Sequence, residues 1–224
     1  MGAGTTRRRN PAERALEVRG AAQTIALTRG LAAISLRSLA AHCGVTAPLI
    51  AHYEPNMDAL VANTFLAIAE QEIADVTLHA QSPDEPVDQF RALLDALADP
   101  SRDNVGEVWC DAWSVGRRNE RLAAAARQAM DSWIALATSI ICAGQERGQF
   151  FDANPERAAL VLFALVDATA SYQLVDYRSR KVRESLVRET LEDILKVSLQ
   201  VVGERPSADR TEAESDAEPP SRDS

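Results

Sequence analysis

The chain has 224 residues, 46% of them hydrophobic but only 5% aromatic, and a formal charge of −9. That length suffices for one helical domain with a sizeable core, or for a small domain joined to a larger one. No apolar run reaches membrane-spanning length, no secretory signal opens the sequence, and Cys43, Cys110 and Cys142 are odd in number and lack metal-ligand spacing, which argues against membrane, disulfide-scaffold and zinc classes and for a cytoplasmic protein.

Ala and Leu are abundant, sustained period-two alternation is missing, and Gly and Pro fall between helical stretches, so the fold class is all-α with about nine helices. Residues 1–9 read as a flexible basic arm holding Arg7, Arg8 and Arg9. Asn10-Pro-Ala-Glu13 is a helix start, with Asn10 as cap, Pro11 in the first position and Glu13 reaching back. This first helix is predicted to run to about Arg29, with Leu16, Ala22, Ile25 and Ala26 as its inner stripe and Gly30 as its stop. Ser35 can cap a helix over about 36–43, and another follows over about 47–53. Glu54-Pro55 breaks the chain, and Asn56 can cap a helix to about Leu78, whose Leu60, Val61, Thr64, Phe65 and Ile68 keep helical spacing.

Beyond the loop Ser82–Pro86 comes a helix with Val87, Phe90, Leu93, Leu94 and Leu97. Asp99-Pro100-Ser101 is another break. A tryptophan-bearing helix (about 103–116) and a long helix (about 119–147, ended by Gly148) follow. Asn154-Pro155-Glu156 starts a helix to about Tyr177 that is apolar almost all round, through Leu160, Val161, Leu162, Phe163, Leu165 and Val166. The last helix, about 182–202, repeats Leu186, Leu191, Ile194, Leu195 and Leu199. Residues 204–224 have almost nothing to bury and read as a disordered acidic tail. A helix apolar on every side must be covered on every side, either centrally or by a second subunit. The last two helices (about 155–177 and 182–202) are the expected two-fold contact of a homodimer; a monomer core helix is the plainer alternative.

The most informative stretch is Leu36 to Tyr53, which reads as two short helices joined by a sharp turn. Ala40 is small enough for two helices to cross closely. Gly44 tolerates the positive φ that the turn wants. Thr46 can cap the second helix, and Pro48 falls in its first turn, where a missing N–H costs nothing. Such a second helix suits a major groove. The charge fits: residues 1–56 hold seven Arg and three Glu, leaving −13 on the remainder. A basic segment on an acidic body is compatible with DNA binding, although a few solvated arginines alone would give the same count.

On Ser35-Leu-Arg-Ser-Leu-Ala-Ala, Cys43-Gly-Val-Thr46 and Ile50-Ala-His-Tyr53, the segment from about 12 to 72 resembles the TetR family of bacterial regulators. Leu49-Ile-Ala-His-Tyr53 is similar to the branch of the BetI repressors. The resemblance implies a helix-turn-helix DNA-binding domain over 10–56 (motif about 35–54) and a helical effector-binding and dimerisation domain over 57–203. It implies a dimer that binds double-stranded operator DNA and leaves it when a small effector, of unknown identity, enters the larger domain. Carried over residue by residue, Arg37 and Ser38 fall where the family touches the DNA backbone. Thr46, Ala47, Pro48 and Leu49 open the reading helix, and His52 and Tyr53 match its phosphate- and base-contacting pair. The arm Arg7, Arg8 and Arg9 adds phosphate affinity. Glu54 and Met57 depart from the family, which usually has Phe and Lys there. They support the alternative of a helical binding or interaction protein that has lost specific DNA contact.

No catalytic triad, phosphate loop or metal motif is visible, so neither an enzyme nor a cofactor is expected. For the effector, Trp109 and Trp113 share a helix face, Trp133, Met130, Phe163 and Phe90 come from neighbouring helices, and Asp111 and Asp167 bring charge into apolar stretches. Tryptophan faces and a carboxylate could hold a cation. The competing reading is that the tryptophans are core and Asp167 is a satisfied polar group.

Overall fold

The computed structural model describes residues 10–197 and 199; the arginines at 7–9, the tail at 204–224 and the expected helical end at 200–202 lie outside the described residues. Helix α1 spans Pro11–Arg29. Its start is the anticipated capping box: Asn10 Oδ1 accepts the Ala12 N–H at 2.9 Å and Glu13 Oε2 accepts the Asn10 N–H at 3.1 Å. Gly30 stops it with φ 84°, ψ 164°, backbone that side-chain-bearing residues avoid. A 3-10 turn at Leu31–Ala33 leads to α2, Leu36–Cys43, and then to α3, Ala47–Tyr53. Ser35 and Ser38 cap α2 reciprocally, and Gly44 takes the left-handed conformation (φ 65°) between the two helices. Val18, Ala22, Leu39 and Ile50 are wholly enclosed where α1, α2 and α3 meet. Each large side chain buried there contributes about 1.5–3 kcal/mol.

Two expectations fail in this region. Leu16 is not part of the inner stripe of α1; it is 67% exposed, and Val18 is buried instead. Nine residues before Ile25 is half a turn away from the buried face at 100° per residue. Thr46 occupies the cap position of α3 but makes no side-chain capping bond. A cap oxygen takes the N–H of the second or third helical residue. Here the second is Pro48, which has none, and the N–H of Leu49 goes to the Thr46 carbonyl at 3.0 Å.

Helix α4, Met57–Ala80, is capped by Asn56 and leads away from α1–α3. It packs along α5 (Pro86–Ala98), α6 (Asp103–Gly116) and α7 (Glu120–Glu146). Helices α8 (Pro155–Gln173) and α9 (Arg180–Leu195) complete the bundle, α8 lying against α6 and α7. No strand occurs among the described residues. Helix α8 ends four residues before the predicted Tyr177. There the chain turns through Asp176 (φ 51°) and Arg178 (φ 63°), and the Tyr177 N–H returns to the Tyr172 carbonyl at 2.9 Å. Helix α9 ends at Leu195 rather than near 202, with Lys196 left-handed at φ 50°. Large apolar side chains stand exposed on this pair and the turn between them: Leu160 is 53% and Leu186 45% exposed, with Leu174 and Val182 similar.

Candidate functional site

Helix α3 is oriented by the burial of one residue. Ile50 is sunk under α1 and α2, which turns Pro48 and His52 outward and leaves Ala47, Leu49 and Tyr53 half-buried. The His52 and Tyr53 rings meet edge to face at 5.2 Å. Thr46 and Arg37 are exposed. Ser38 differs from its neighbours: its hydroxyl donates to the Ala33 carbonyl at 2.7 Å and accepts the Ser35 N–H at 2.9 Å. That hydroxyl is committed to the α2 cap before any DNA arrives.

The two departures from the family acquire physical explanations. The Glu54 carboxylate lies 3.3 Å from Arg19 Nε of α1 and is largely covered, so its charge meets a guanidinium before it meets a phosphate. Met57 is half-buried and packs on the hydrophobic core as α4 begins.

The larger helices frame a partly open cavity of about 140 Å³. Trp109 (α6), Met130 and Trp133 (α7), and Phe163 and Asp167 (α8) line it as anticipated, with α5 and α9 closing the sides. The Trp133 and Phe163 rings lie 5.4 Å apart. Six carboxylates and four arginines also line the cavity, and burial shifts the carboxylates of Asp167 and Glu72 upward. Burial pushes the pKa of Asp167 up to about 6, against the lowering effect of the hydrogen bond from Trp113. Burial likewise raises that of Glu72, opposed by the Trp109 indole N–H at 3.0 Å and by Arg102 at 3.9 Å. Glu72 escaped the sequence reading. Its signal was present: it continues the Ile68, Val76 register of α4, so a carboxylate sits on a buried face.

Three expected pocket residues lie elsewhere. Phe90 is wholly buried against Phe150, with ring centres 5.8 Å apart, and serves the core between α5 and α7. Trp113 stacks on Trp109 at 5.7 Å but on its outer side, 40% exposed, and touches the cavity only through its bond to Asp167. Asp111 points the opposite way, to the N-terminal helices, where it accepts the Leu31 N–H at 2.7 Å. Two positions on from Trp109 means about 200° around the helix, so the two cannot share a face.

The model of the BetI-type transcriptional repressor C-terminal domain matches residues 86–196. Solved structures share the fold over most of their length. A regulator from Saccharomonospora viridis in complex with choline superposes with a TM-score of 0.74 at 18% identity, covering 82% of this chain and 98% of that one. A TetR transcription regulator from Haloarcula marismortui gives 0.71 at 18% identity, over 82% and 99%. A TetR-family regulator from Agrobacterium tumefaciens gives 0.69 at 19%, over 83% and 100%. No curated sequence matches significantly. The fold is that of a helix-turn-helix transcription regulator. With the helix-turn-helix in its N-terminal part and the repressor domain behind it, the chain belongs to the TetR family. Members of this family bind operator DNA as dimers. No described helix is long and apolar enough to cross a membrane.

Proposed function

We propose that the chain is a dimeric repressor that an organic cation releases from its operator. The observation that carries the effector class is Asp167. Among the described residues its carboxylate has the Trp113 indole as partner and no ion pair, yet it borders a cavity walled by Trp109, Trp133 and Phe163. A half-buried carboxylate without a cation costs stability, and aromatic faces beside it favour a cation by about 0.5–2 kcal/mol each. The Saccharomonospora viridis relative holds choline, a cation of this class. Thermal shift with choline and with an uncharged isostere of the same size tests the reading. Stabilisation by choline alone is expected; equal stabilisation by both would contradict it.

DNA contact is assigned to Arg37, Thr46, Ala47, Pro48, Leu49, His52 and Tyr53, with phosphate attraction from the arm Arg7, Arg8 and Arg9. The covered Glu54 and the core-packed Met57 remove the main support for a protein without specific DNA contact. The dimer is assigned to α8 and α9, because each carries a large apolar side chain exposed to water, Leu160 on one and Leu186 on the other. Leu160→Asp with Leu186→Asp is expected to give a monomer by sedimentation; an unchanged dimer would move the interface elsewhere. Retention of the upstream intergenic DNA at two salt concentrations tests the repressor reading. Sequence-selective retention that survives the higher salt supports it, and sequence-blind retention that vanishes with salt refutes it.

A further inference from the structure

Helix α6 stands between the pocket and the N-terminal helices. Its Trp109 borders the cavity and donates to Glu72, and its other side packs on α1 and on the 3-10 turn after it. Asp111 makes the polar contact of that second side. Its Oδ2 accepts the Leu31 N–H at 2.7 Å. Leu31 is itself buried, so this N–H would lose free energy without a partner. A carboxylate acceptor makes the bond charge-assisted, roughly twice as strong as one between neutral groups. The approach is close. A Cβ on Gly30 would stand 2.4 Å from the same Oδ2, so a side chain at position 30 would push the carboxylate off Leu31.

We propose that Asp111 is a positioning residue that fixes the seat of the N-terminal helices on α6, and that through it a change at Trp109 reaches the segment leading into α2. The proposal rests on the pocket and DNA-contact readings above for its biological use, but the junction itself stands on geometry. Leu31 is the first residue of the turn that delivers Ser35, the cap of α2, and α2 sets α3 through Ala40. A carboxylate displaced with α6 therefore acts at the root of the reading helix. The Trp109 side chain is held at both of its ends, by Glu72 at the nitrogen and by the edge-on Phe65 ring at 4.9 Å, so the cavity wall and the junction move with one rigid helix.

Hydrogen exchange on the full chain tests this without DNA or effector, comparing wild type with Asp111→Ala, Asp111→Asn, Trp109→Phe and the double variant Trp109→Phe/Asp111→Ala. Asp111→Ala is expected to speed exchange of the Leu31 amide by about tenfold or more, with α7 amides unchanged. Asp111→Asn keeps an acceptor oxygen and is expected to stay within about threefold of wild type. Trp109→Phe, which removes the bond to Glu72, is expected to speed Leu31 exchange only where Asp111 is present. An unmoved Leu31 amide in Asp111→Ala would overturn the proposal. So would acceleration spread equally through α7, or an equal Trp109→Phe effect in both backgrounds. A chain that passes this test yet holds no DNA selectively keeps the junction and loses the repressor reading.

Discussion

The short helices α2 and α3 and the long helices around the cavity treat polar groups in opposite ways. In α2 and α3 the inward residues are Leu39, Ala40 and Ile50, while Arg37 and His52 face water. Around the cavity Glu72 and Asp167 are drawn inward, and burial raises the pKa of both. In the first region, groups that hold the fold and groups free to meet a phosphate are different residues. In the second, burial disfavours the charged form of both carboxylates, offset at Glu72 by Trp109 and Arg102 and at Asp167 by Trp113 alone. A change to the outward groups of α2 and α3 therefore has little effect on folding, whereas a change to a cavity carboxylate alters stability as well.

The comparison breaks most visibly at Ile50. Ile50→Ala is expected to cost about 2–5 kcal/mol, which α2 and α3, of 8 and 7 residues, cannot absorb. Loss of DNA retention with choline stabilisation intact, by shift assay and thermal shift, is the expected outcome. Equal loss of both would show that the regions are not separable.

Asp167→Asn sharpens the other side. The folded pKa of about 6 lies above the usual 3.8. The native state therefore holds the proton more tightly, and the stability this gives is complete below about pH 4 and is lost as pH rises through about 6. The Asn variant is expected to be more stable than wild type at pH 7, on the order of 2 kcal/mol, and equal to it near pH 4. That corresponds to a Tm about 4–8 °C higher at pH 7. Cation binding is expected to weaken in wild type below pH 6, where the carboxyl must first release its proton, and to be weak at every pH in the variant.

Smaller effects follow in the N-terminal region. Ser35→Ala removes the cap of α2 and is expected to cost about 1 kcal/mol, read by denaturant unfolding. Arg37→Ala is expected to leave stability within about 0.5 kcal/mol. It should weaken DNA binding similarly on all sequences, with the salt slope falling by about one. A loss confined to the operator would assign Arg37 to a base instead.

The N-terminal helices were legible because their signals are local. Asn10 with Glu13, Ser35 and Gly44 act within a few residues of themselves, and each sits where its chemistry placed it. Thr46 failed because Pro48 withdrew the N–H it needed. Around the cavity, Trp109, Trp133 and Asp167 were recognised by type, but type does not say which way a side chain faces. Asp111 illustrates the limit: only the angle around α6 separates it from Trp109, and only the approach of Gly30 and Leu31 shows what it serves. The ends of α8 and α9 were missed because Asp176, Arg178 and Lys196 take left-handed backbone without a glycine to announce it.

Hydroxyl-radical footprinting of the upstream intergenic DNA tests most directly whether two copies present α3 to one face of the duplex. Two protected patches related by a two-fold axis and separated by about one helical turn, roughly 34–36 Å, or a multiple of it, are predicted. A single patch, or faint protection spread evenly along the fragment, would contradict it.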